Sequence, residues 1–294
     1  MPKDPAPIVG VARARLANES VPVDFNSAPN NPTLRGMATE LARATKLDPS
    51  YAPAALELGR ALLVMGKTDD ALKSLRRAIE LDASDPEAHS ALGVGLLATG
   101  DVPGATKELG RAAEIEPGSA ERQGNFGTAL LLAGRVDDAV AAFEKAMKAA
   151  PRDPRILNDL GTTLLQQNKV DEGITLLEHA VELEPKRATY KNNLGYAHSL
   201  KGESAKAMSL YQEALALDEK LVSAWINLGN AHARLKQLKE ARSAYEKAKE
   251  VDPTDPRVKA AILDLDAIEK GAPQGAPPPP VPPKSPAEKK KAPK

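Results

Sequence analysis

Apolar and small residues along this chain keep two periods at once. Over short stretches they fall at helical spacing, and the whole pattern returns every 34 residues. Glycine recurs at Gly59, Gly93, Gly127, Gly161, Gly195 and Gly229. A large apolar residue precedes each one: Leu58, Leu92, Phe126, Leu160, Leu194 and Leu228. A second large column holds Leu75, Leu109, Phe143, Leu177, Tyr211 and Tyr245, followed in register by Ala78, Ala112, Ala146, Ala180, Ala214 and Ala248. Six full units therefore run from 52–85 to 222–255.

Each unit predicts two helices, A then B. In the last unit Trp225, Leu228, Gly229 and His232 share one face of helix A, and Ala241, Tyr245 and Ala248 share one face of helix B. Between them stand Gly66, Gly100, Gly134, Asn168, Gly202 or Lys236. Glycine and asparagine suit the left-handed residue that ends a helix, so Lys236 is expected to bear strain or use another turn. Acids such as Asp69, Asp137 and Asp171 open helix B, where the helix dipole favours them. A glycine inside a helix costs about 1 kcal/mol relative to alanine. Six of them in register imply a compensating gain, the close approach of helix A to helix B. One hairpin cannot bury its apolar face alone, so the units must stack.

The flanks are less regular. Residues 32–51 fit a degenerate half repeat, with Met37, Leu41 and Ala44 as its helix B. Residues 1–31 are expected to be an irregular segment with at most a short helix near 8–17, because Pro22 and Pro29 interrupt the place where a helix A belongs. Residues 256–270 predict a capping helix with Val258, Ala261, Ile262 and Leu265 facing inward. Residues 271–294, rich in proline and lysine, predict a disordered, partly polyproline-II tail.

The last unit carries W-x-x-L-G-x-x-H, then A-x-x-x-Y, then a proline. This resembles the tetratricopeptide repeat, with His232 in place of the usual tyrosine. The resemblance spans 52–255 and implies an all-α fold, a right-handed superhelix of helical hairpins (an α-α solenoid). It also implies a concave groove lined mainly by the A helices.

Composition narrows the function. Lysine plus arginine equals aspartate plus glutamate at 40 each, so no net positive field exists for a general nucleic-acid binder. Cysteine is absent, which removes thiolate catalysis and cysteine-based zinc. No apolar run is long enough to span a membrane, and the first twenty residues do not read as a secretory signal, so the cytoplasm is expected. Gly93-Val-Gly95 lacks a phosphate-loop lysine, and neither a zincin nor a nucleophile-elbow motif occurs. No catalytic residues, cofactor or metal are expected; His198 and His232, at equivalent positions, read as packing residues.

The candidate site is the groove. In helix A, positions 2, 6, 9 and 13 form a stripe beside the packed face. Position 6 holds Glu57, Ala91, Asn125, Asp159, Asn193 and Asn227. An asparagine amide offers a donor and an acceptor, matching a peptide unit. The stripe resembles the asparagine ladder of O-linked N-acetylglucosamine transferase, which implies peptide contact. Tyr196 and Asn230 at position 9, Arg155 at position 2 and Arg234 at position 13 would flank it. A blander reading has these asparagines only solvating the groove. The family's carboxylate clamp is not expected, since Arg155 has no matching pair of bases at positions 2 and 6. The first half of the stripe reads as comparatively apolar (Val64, Ala91, Val94, Ala98). In the tail, Pro279-x-x-Pro282-x-Lys284 fits a polyproline ligand with a basic anchor, though a flexible solubilising end or tether is the favoured reading. These features point to an adaptor that binds another protein or peptide segment. The alternatives are a structural scaffold or homo-oligomer, or a non-catalytic regulatory subunit. Nothing in the sequence fixes the oligomeric state.

Overall fold

The structure is a computed structural model that describes residues 4–16 and 32–270. The proline- and lysine-rich tail and the segment 17–31 lie outside the described residues. Every element described is α-helical. The chain divides after Ala149 into two compact units.

The first unit holds α1 (Ala6–Leu16), α2 (Pro32–Leu47), α3 (Ala52–Val64), α4 (Thr68–Leu81), α5 (Pro86–Thr99), α6 (Val102–Ile115), α7 (Ala120–Leu132) and α8 (Val136–Ala149). Helices α3/α4, α5/α6 and α7/α8 are the A/B hairpins of three repeats. The second unit holds α9 (Pro154–Gln166), α10 (Val170–Leu183), α11 (Ala188–Leu200), α12 (Ser204–Leu217), α13 (Val222–Arg234), α14 (Leu238–Val251) and α15 (Pro256–Glu269). It contains three more hairpins, and α15 packs on the last of them. Val258, Ala261 and Leu265 are the buried face of α15.

The repeating glycines are where the two helices of a hairpin meet. A methyl group on Gly59 would lie 2.5 Å from Leu75 Cγ, one on Gly161 2.9 Å from Leu177 Cγ, and one on Gly195 2.7 Å from Tyr211 Cε1. The equivalent atom on Gly93, Gly127 or Gly229 would strike Leu109, Phe143 or Tyr245. The large partner is fully or almost fully buried in all six units. The helix-propensity cost of glycine is thus offset by interhelical packing, repeat after repeat.

Local chemistry sets the helix ends. Asp85, Asp153 and Asp255 each cap a helix by accepting from a backbone N–H two residues on, with proline in the first turn. Between A and B the chain turns through a left-handed residue: Gly66, Gly100, Gly134 and Gly202, and the non-glycines Asn168 and Lys236, both at φ 60°. Lys236 therefore uses the same turn as its glycine counterparts and carries the strain.

Within the segment 1–31 the short helix expected near 8–17 is present, and it is packed into the fold. Eleven of its residues form α1, and Val9, Ala12 and Leu16, spaced three and four apart, are buried. They join a cluster with Leu34, Met37, Leu41 and Ala44 of α2 and Ala54, Ala61 and Val64 of α3. The prolines that argued against a helix A stand at 22 and 29, beyond α1. The half repeat therefore has an apolar partner, drawn from earlier in the chain than its register suggested.

Candidate functional site

In each unit, successive A helices come closer together than successive B helices. The A helices thus form the inner face, as the position-6 argument requires. The two inner faces differ in chemistry.

In the first unit the face carries alternating charge. Glu57 is 0% exposed and accepts from Arg13 Nε of α1 at 2.7 Å and Arg60 Nη1 at 3.3 Å. Arg60 Nε reaches Glu87 at 3.7 Å; Arg122, largely buried, pairs with Glu87 at 2.8 Å and Glu116 at 3.3 Å. A buried carboxylate held by two guanidiniums satisfies the condition under which burying charge is tolerable. The glutamate also holds the Arg13 guanidinium above its usual range. Beside this ladder lies a small cleft of about 140 Å³, lined among others by Leu16, Leu63, Val64, Ala91, Val94 and Asn125. The face is therefore less apolar than its Val64–Ala98 stripe suggested. Asn125, the one position-6 asparagine here, is half-buried at the edge of the cleft.

In the second unit the position-6 asparagines are floor, not surface. Asn193 is 2% and Asn227 1% exposed. Asn227 Nδ2 donates to Asn192 Oδ1 at 3.1 Å, Asn192 Nδ2 to Asn193 Oδ1 at 3.4 Å, and Asn193 Nδ2 to Asn158 Oδ1 at 2.7 Å. Asn158 Nδ2 then donates to Asp159 Oδ1 at 3.1 Å. Four amides thus run in one direction through α13, α11 and α9 and end on a carboxylate. Asn158 and Asn192, at position 5, were not singled out from sequence. The signal for them was present: Asn158-Asp159 and Asn192-Asn193 stand 34 residues apart.

Above that floor, part-exposed groups remain. Asp159 is part-exposed in area but set deep between helices, and burial, the leading cause, pushes its carboxyl up to about 6 against the opposing Asn158 amide and Arg155. Arg155 is exposed on the same helix. Tyr196 is half-buried on α11, and burial raises its phenol. Asn230 accepts at Oδ1 from Tyr245 at 2.6 Å, while its Nδ2 has no partner among the described residues. Arg234 donates to Ser199 Oγ at 3.0 Å, and no carboxylate lies within ion-pair distance of it among those residues.

The histidines serve their own hairpins. His198 Nδ1 pairs with Glu203 at 2.8 Å and His232 Nδ1 with Gln237 at 2.7 Å, each at the start of the following helix B. No group of three metal-ligating side chains occurs among the described residues, and no described helix is long and apolar enough to cross a membrane.

Family models described as tetratricopeptide repeat match residues 56–121, 130–194, 187–224 and 222–255. No curated protein matches the sequence. Among solved structures, the APC/C hetero-tetramer Cut9-Hcn1 is similar at a TM-score of 0.69 and 15% identity, over 90% of this chain and 53% of that one. The chain thus spans about half the length of that relative. A tetratricopeptide repeat protein from Parabacteroides merdae gives 0.66 and 14%, over 88% of this chain and 98% of the other. PilF of Pseudomonas aeruginosa gives 0.60 and 21%, over 74% and 98%. At these identities the likeness speaks for a repeat solenoid and for nothing more specific.

Proposed function

The chain belongs to the tetratricopeptide-repeat family, and on that footing we propose that it is an adaptor whose inner A-helix faces hold a segment of a partner protein. A repeat fold is a platform, so the reading rests on surface residues. The observation that carries it is the second unit's inner face. Asp159, Thr162, Tyr196 and Arg234 stay part-exposed there, above a floor of amides already satisfied by one another. Such a surface is rigid below and open in its polar contacts above, which limits the ordering cost of binding.

The peptide-contact role moves accordingly. Asn193 and Asn227 support the face, and contact falls to Asp159, Tyr196 and Arg234, with Arg155 and Asn230 at its margins. The cytoplasm remains our expected compartment. A scaffold joined end to end would draw on an unpartnered helix at the end of the stack; at the N-terminal end, α1 covers the helix of the half repeat.

Thr162, at position 9 of α9, is part-exposed on this face. The test is affinity capture with the intact protein and with Thr162→Trp, each checked for a cooperative melt. Proteins retained by the first and lost by the folded second are the expected result. An unchanged set of captured proteins would reject the inner face.

A further inference from the structure

We infer that the second unit's inner face selects a bipolar extended segment, one presenting a basic side chain to Asp159 and an acidic one to Arg234. This rests on the adaptor reading and names the chemistry of the partner. The same chain supplies the template. Position 6 of the first repeat holds Glu57, and an arginine from a separately packed helix, Arg13 of α1, answers that carboxylate at 2.7 Å. Position 6 of the fourth repeat holds Asp159, and among the described residues no cation lies within ion-pair distance of it. Arg155, one turn earlier, leaves it open. The Asn227–Asn192–Asn193–Asn158 relay points every N–H toward this carboxylate and fills only Oδ1. A buried amide chain of this kind holds the carboxylate in place, while leaving its charge without a counterion.

The opposite end has the complementary need. Arg234 closes α13, where the helix C-terminus favours a cation. Its Nη1 reaches only the neutral Ser199 Oγ, and its Nε is buried without a partner. Asn230, one turn back and 3% exposed, keeps an unpartnered Nδ2. These are donors lacking an acceptor. Helix α11 lies between, in contact with both α9 and α13, and Tyr196 on it offers a part-exposed ring. Two helix spacings of about 8–10 Å separate α9 from α13, and the seven positions between position 6 and position 13, at about 1.5 Å each, add roughly 10 Å along the helix axis. An extended peptide rising about 3.3 Å per residue covers the resulting span of roughly 19–23 Å in about six or seven residues.

The test uses the full chain and fluorescein-labelled nine-residue peptides on an alanine–serine background. Arginine and glutamate are placed four to seven positions apart in either order, with controls in which one or both become glutamine. A peptide with both charges six or seven positions apart is expected to bind at least tenfold more tightly than its double-glutamine control. Asp159→Asn should erase the advantage of the arginine and leave that of the glutamate. Arg234→Gln should do the converse. Binding that ignores both substitutions yet disappears in Thr162→Trp overturns the bipolar selection and leaves the adaptor reading standing. Binding untouched by all three overturns both. Absence of binding by every peptide to the folded chain also overturns the selection, and the capture comparison then judges the adaptor reading by itself.

Discussion

Asn193 and Asn158, one repeat apart, are joined side chain to side chain at 2.7 Å, and both are more than nine-tenths buried. The direction of the whole relay follows from its end, because an ionised carboxylate only accepts. Removing one amide leaves buried neighbours unsatisfied, a loss worth roughly 1–3 kcal/mol. Asn193→Ala is therefore expected to lower unfolding stability by that amount in urea titration. A change below about 0.5 kcal/mol would mean that the relay contributes no stability. Such a variant also cannot report cleanly on partner binding.

Asp159 gives the chain a pH signature. Its carboxyl holds a proton up to about 6 in the folded protein, against a model-peptide value near 4. The folded state therefore binds more protons than the unfolded one across that window, and this group's contribution falls as pH rises through it. Asp159→Asn removes the penalty. At pH 7 the variant should be more stable by up to roughly 3 kcal/mol, and the difference should fade below about pH 4. Parallel stability curves for the two proteins from pH 4 to 7 would contradict this.

Gly229 faces the ring of Tyr245, which is 2% exposed and cannot retreat into solvent. Alanine gains about 1 kcal/mol of helix propensity. Overpacking against a fixed ring costs about 1–3 kcal/mol. Gly229→Ala should thus destabilise the last hairpin on balance, seen as faster amide exchange in α13 and α14. Stabilisation would show that the hairpin yields without cost.

Lys236 sits at φ 60°, where its counterparts in four other repeats are glycine. An L-residue there costs roughly 1–2 kcal/mol. Lys236→Gly should raise the thermal midpoint, because relief of that strain outweighs the greater unfolded freedom of glycine. A lower midpoint would mean that the lysine side chain makes contacts worth more than the strain.

The hairpins were legible because packing repeats: six glycines and six large partners in register identify one contact made six times. The packing of α1, though not the helix itself, was hidden, because its three buried residues follow no repeat register and its partners lie beyond a proline-bearing stretch. The inner face was half legible. Helical periodicity put Asn193, Asn227 and Asp159 on one stripe, yet whether an amide points into a groove or into its neighbour depends on position 5 of the preceding repeat. Only the pairing of Asn158 with Asn193 and of Asn192 with Asn227 decides that.

Amide hydrogen exchange on the protein, free and saturated with a partner recovered by capture, tests the adaptor reading most directly. Slower exchange confined to the A helices, and in the second unit to α9, α11 and α13, is the predicted result. Slower exchange on α10, α12 and α14, with the A helices unchanged, would contradict it.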